Sequence, residues 1–222
     1  MDRPIFAWPM RPRANCYVAA GYLDPDYMRR MGVPNTGEDW NLRTGGDSDL
    51  GYPVQAVFPG VVVAAGWYRV WGHLVVVRVD PWVRDLLQDA LEEPLEDLYV
   101  RYGHLHHVVV ARGGRVEAGE CVGSVGKGDG RYLAHLHIDF PRVSLPPEAY
   151  PRREEEVRVQ YLDPARVWKA LAFADRPNLL PHDRLLYAPV GGLYTPHGVL
   201  ETPHGAVLRS TGGRLYVRPA RR

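Results

Sequence analysis

Apolar and polar positions alternate most cleanly over residues 134–140, where Ala-His-Leu-His-Ile-Asp-Phe reads as a strand. Successive side chains of an extended chain face opposite ways. Leu136, Ile138 and Phe140 therefore predict a core face, and His135, His137 and Asp139 share the other. Side chains two positions apart on one face lie roughly 6–7 Å apart, which lets one imidazole hold a metal while its neighbour handles a proton. Upstream, Val61 to Trp67 and Leu74 to Val79, joined through Arg69 to Gly72, have the β-branched richness and punctuation of a hairpin. Pro53 to Phe58 predicts a strand ended by a Pro59-Gly60 turn. The period changes after Asp80: Val83, Leu86, Leu87, Ala90 and Leu91 recur at helical spacing between a start at Asp80-Pro81 and a stop at Pro94. This predicts a helix inserted at about 82–93 between strands. Strand character resumes at Leu98 to Tyr102 and at Gly119 to Val125. Glu154 to Tyr161 alternates and predicts a closing strand, and Asp163-Pro164 opens a helix running to about Phe173.

The connections divide the chain into an N-terminal segment (1–32), a main domain (33–174) and a C-terminal appendage of β-hairpins (175–222). The first contains Tyr17, Tyr22 and Tyr27, with Asp24-Pro25-Asp26 as a turn or helix start. Pro34 to Asn41 combines turn formers with a carboxylate and an aromatic, and predicts a loop passing into a short strand. Gly126, Gly128 and Gly130 make the run before the His-x-His strand a tight connection. With no helical pattern after it, this run is not a phosphate cradle. The appendage carries Thr195-Pro-His-Gly198 and Thr202-Pro-His-Gly205 between short apolar strands such as Leu185 to Ala188 and Val207 to Arg209. The repeated Pro-His-Gly reads as a turn, with His197 and His204 on a metal as the alternative. The tail arginines Arg218, Arg221 and Arg222 either touch an anionic polymer or are simply solvated.

Charge narrows the partners. With 27 basic and 26 acidic residues and a net charge of +1, no global field recommends nucleic acid or an anionic membrane. Apolar runs fall well short of the roughly 20 residues a spanning helix needs. Prolines interrupt the basic N-terminus, which therefore does not read as a secretory signal. Cys16 and Cys121 form no Cys-x-x-Cys metal spacing and read as unpaired.

Five pieces in order, Asn35-x-x-x-Asp39, Gly60-Val61-Val62, Tyr102-x-His104-Leu105, Gly119-x-x-Val122-Gly123-x-x-Gly126 and His135-Leu136-His137, resemble the LytM/lysostaphin-type zinc metalloendopeptidases over about Val33 to Phe140. The resemblance implies a mainly β fold, an antiparallel sheet folded over a smaller one. It also implies hydrolysis of peptide cross-bridges in bacterial peptidoglycan, at the bacterial cell wall or within a virion, reached by a route other than a secretory signal. Carried over residue by residue, it makes Asp39 and His137 ligands of one zinc ion, with Asn35 in the place of the first ligand. His104 and His135 become the general base and the transition-state stabiliser. The family's first ligand is histidine, and a neutral amide oxygen is a poorer partner for zinc. Three outcomes are open at this point. Asn35 ligates weakly, another residue such as His73 or Asp47 replaces it in space, or the site is empty and the domain binds wall peptide or a protein partner without cleaving. His106 and His107 read as solvent-facing, His73 as structural, and Glu38 as pointing away from Asp39.

Overall fold

The computed structural model describes residues 3–174, 193–195, 199–201, 207–211 and 214–218. In chain order, strand β1 (Arg3–Phe6) and β2 (Cys16–Ala20) precede helix α1 (Pro25–Met31), which is capped by the Asp24 carboxylate at its start and by Gly32 at φ +71° at its end. Strands β3 (Glu38–Leu42), β4 (Pro53–Gln55), β5 (Gly60–Tyr68) and β6 (Gly72–Val79) follow, then the inserted helix α2 (Pro81–Leu91). After it come β7 (Tyr99–Val108), β8 (Arg115–Val116), β9 (Cys121–Val125) and β10 (Leu136–Pro141). Helix α3 (Glu154–Gln160), β11 (Tyr161–Leu162) and helix α4 (Pro164–Ala174) close the main body. Four further strands are described: β12 (Leu193–Thr195), β13 (Val199–Glu201), β14 (Val207–Thr211) and β15 (Arg214–Arg218).

Ten strands form one antiparallel sheet in the order β2-β3-β10-β7-β6-β5-β8, with β11 on β10 and β9 linking β4 to β7. The first half of β7 lies between β6 and β10, while its second half pairs with β9 through Leu105↔Val125 and Val108↔Gly123. One long strand thus carries the chain from the main layer into the smaller one. A second sheet, β1-β15-β14-β13-β12, joins the N-terminal strand to the C-terminal appendage. The Pro-His-Gly segments, Leu185 to Ala188 and the tail's Arg221 and Arg222 lie outside the described residues, as does the side chain of Arg218.

The core gathers Phe6, Trp40, Phe58, Phe140 and Trp168 on the face opposite the histidines, with β10 contributing Leu136, Ile138 and Phe140 as its alternation predicts. Glu38 does point to this side, and it is buried. Its Oε2 accepts the indole N–H of both Trp40 and Trp168 at 2.7 Å, tying β3 to α4. Cys16 and Cys121 are both free.

Two sequence expectations are corrected. Glu154 to Tyr161 is not a strand: Glu154–Gln160 is helical, and only Tyr161–Leu162 extends. Three glutamates in the first turn suit the positive end of a helix, and Arg158 reaches back to Glu154 four residues earlier. The Val157/Val159 alternation has no sheet behind it, since Val157 is buried and Val159 is exposed. The strand expected to reach Phe58 stops at Gln55. Beyond it the Val57 carbonyl accepts Ala7 N–H, and the Val57 N–H donates to Tyr102 Oη at 2.7 Å.

Candidate functional site

Register builds the site. In β10, His137 lies opposite Asp39 of β3 on one side and Gly103 of β7 on the other, and Asp139 lies opposite Arg101. Gly103 is needed there because an added Cβ would sit 2.8 Å from the Trp71 ring. That indole fills the space, with its centroid 5.1 Å from His137 and 5.7 Å from His104. His104 itself adopts φ +60°, a left-handed conformation unusual for a residue with a side chain, at a point where the pairing of β7 with both neighbours becomes irregular. The irregularity turns its imidazole towards the others, 4.9 Å from His135 and 5.9 Å from His137 between ring centroids.

Hydrogen bonds set the tautomers. His104 Nδ1 lies 3.0 Å from the Trp71 carbonyl and His135 Nδ1 lies 2.9 Å from the Leu133 carbonyl. A carbonyl only accepts, so both Nδ1 atoms carry a proton. Burial, together with the neighbouring imidazoles, holds the His104 pKa well below the ordinary histidine value, so it is a neutral base at pH 7. His137 is the opposite case. Its Nδ1 is 2.9 Å from Asp39 Oδ1, and its Nε2 is 3.1 Å from Asp139 Oδ2. Burial alone would lower its pKa, but the bonds and charges of Asp139 and Asp39 outweigh burial and lift it to about 9. Burial pushes the Asp39 pKa upward, yet the bond to His137 prevails and lowers it.

The structure therefore brings Asp39, His104, His135 and His137 together. Asn35 is fully buried on the loop entering β3; its Oδ1 accepts Gly37 N–H at 3.1 Å, and its Nδ2 has no hydrogen-bond partner. Asp47 does not replace it, because its carboxylate binds Lys127 Nζ at 2.6 Å and Ala134 N–H at 2.8 Å. His73 lies in β6 opposite Trp67 and Leu105, half-buried. His106 and His107 are exposed, as expected.

Does this donor set suit zinc? Asp139 fixes the Nε2–H of His137, which leaves Nδ1 as the nitrogen facing Asp39. A carboxylate behind a histidine in this way is the arrangement that orients metal-binding imidazoles. The 2.9 Å between Nδ1 and Asp39 is a hydrogen-bond distance, so a proton now occupies the position between the two donors that a cation would take. Among the described residues no three His, Cys, Asp or Glu side chains form a metal-holding group. Asn35, the third donor that the resemblance implies, offers a neutral amide oxygen that already accepts Gly37 N–H. Asp39 and His137 are donors of the kind zinc takes, and Asn35 is a poorer one.

Sequence reasoning missed four residues of the site: Thr36, Trp71, Arg101 and Asp139. Asp139 was placed on the correct face without a role. An arginine inside the apolar run Leu98 to Tyr102 was the available signal for Arg101.

The model of peptidase family M23 matches residues 34–146. The chain belongs to peptidase family M23. Among solved structures, this M23 chain is similar to the catalytic domain of the antimicrobial peptidase lysostaphin from Staphylococcus simulans, at 20% identity over 70% of this chain and 94% of that one, TM-score 0.49. It is also similar to the complex of SpoIIIAH and SpoIIQ, at 18% identity over 73% and 99%, TM-score 0.49. A zinc-containing peptidase from Vibrio cholerae matches at 17% identity over 68% of this chain and 41% of that one, TM-score 0.45. No curated protein matches. The matched region ends at residue 146, before Tyr150 and Tyr161, which also pack around the site.

Proposed function

We propose that this M23 domain is a metal-dependent endopeptidase that hydrolyses peptide cross-bridges of bacterial peptidoglycan. One observation carries the reading: two imidazoles, His104 and His135, have their Nδ1–H groups tied to backbone carbonyls and stand beside the Asp39–His137 pair. Asp39, His137 and the amide oxygen of Asn35 would hold the ion. When bound, zinc supplies a Lewis acid that brings the pKa of a water molecule to about 7. The chain's own part is proton handling. Nε2 of buried His104 accepts the proton of the attacking water, and His135, at the rim, donates from a protonated Nε2 to the oxygen that gains charge as the peptide carbonyl is attacked, its Nδ1–H staying on the Leu133 carbonyl.

Purified peptidoglycan incubated with the protein is expected to release new amino termini. Chelation should stop the release, and added zinc should restore it. Absence of amine release at every zinc concentration would remove the enzymatic reading. Asn35 specifically favours a second reading, a silent domain that binds wall peptide at the same site. That reading predicts cosedimentation with peptidoglycan in the absence of cleavage.

A further inference from the structure

We propose that Arg101 is a positioning residue for His137, acting through Asp139, and that the chain beyond the matched family region completes this device. It rests on the reading of His137 as a metal ligand. Arg101 and Asp139 are 1% and 0% exposed. The guanidinium forks onto the carboxylate, Nε to Oδ1 at 3.0 Å and Nη2 to Oδ2 at 2.5 Å. The remaining donors reach past residue 146: Nη1 bonds the Ala149 carbonyl at 2.8 Å, and Nη2 bonds Tyr161 Oη at 3.2 Å. The cation also lies over the Trp71 ring, 4.0 Å from its centroid.

A buried ion pair is a poor way to gain stability, because apolar side chains of similar size serve as well. What this pair supplies that apolar residues cannot is an acceptor in a fixed place. Asp139 Oδ2 takes the Thr36 hydroxyl at 2.6 Å and faces His137 Nε2 at 3.1 Å. An imidazole ring turned by 180° about its Cβ–Cγ bond would present a carbon where Nδ1 now faces Asp39. The anchored carboxylate rewards only the orientation in which Nε2–H points at it. Arg101 holds the carboxylate from behind, and Trp71 packs against both the guanidinium and the ring it orients. Arg101 touches none of the assigned ligands, so its effect reaches the site through Asp139.

The test uses the full chain labelled with ¹⁵N-histidine, with His137→Gln assigning the ring signals. In zinc-free wild type, the Nε2 proton of His137 should exchange slowly with water. Arg101→Lys keeps the charge but loses the fork. It is expected to speed that exchange and to weaken zinc binding about tenfold or more. Asp139→Asn retains an acceptor oxygen, and is expected to keep the slow Nε2 proton while zinc affinity falls by a smaller factor. If both variants lower only the melting temperature, with His137 ring signals and zinc affinity unchanged, the pair is merely structural and the proposal is overturned. Wild type that binds no zinc but shows the arginine-dependent ring proton would instead sink the metal reading and leave the positioning intact.

Discussion

His104→Ala is expected to lower the rate of peptidoglycan hydrolysis by about 10²–10⁴-fold, the usual contribution of a positioned acid or base, while zinc content stays near that of wild type. The reason lies in its surroundings. Its Nδ1–H is tied to the Trp71 carbonyl, and burial keeps the ring neutral, so Nε2 is free to take a proton, and the family resemblance leaves it outside the ligand set. His135→Ala should behave in the same way, since its Nδ1 is tied to Leu133. His137→Ala should differ from both and lose metal and activity together, because its Nδ1 faces Asp39. Metal analysis beside an amine-release assay separates these cases. Zinc lost from His104→Ala or His135→Ala would make that residue a ligand and undo the division of roles.

Asn35→His should bind zinc at least about tenfold more tightly than wild type, on the order of one to a few kcal/mol for one improved polar contact. Hydrolysis should be maintained or rise. An imidazole is a stronger zinc donor than an amide oxygen already shared with Gly37 N–H. The substitution costs that loop bond and must fit a fully buried position, so a melting curve accompanies the zinc titration. If zinc binds no better and the variant is folded, residue 35 does not face the metal position.

The parts of the fold legible in the sequence were those governed by local period. The alternation of residues 134–140 gave β10 with its core face, and helical spacing after Asp80 gave α2 within two residues. The same alternation misled at Glu154 to Tyr161, where first-turn glutamates and the Glu154–Arg158 pair favoured a helix over two valines at strand spacing. In the site, the ordered motifs led to Asp39, His104, His135 and His137, which the fold does bring together. They could not show that Arg101 stands opposite Asp139, because that contact, between residues 38 apart in the chain, is decided by the register of β10 against β7. Nor could they place Trp71, which leaves a hairpin turn to fill the space over Gly103.

Zinc content of the protein purified without chelator tests the central claim most directly. Metal held by Asp39, His137 and Asn35 predicts close to one zinc per chain, removable by chelation and lost in His137→Ala. A folded protein that carries no zinc and takes up none on titration contradicts it, and leaves the reading of a domain that binds wall peptide without cutting it.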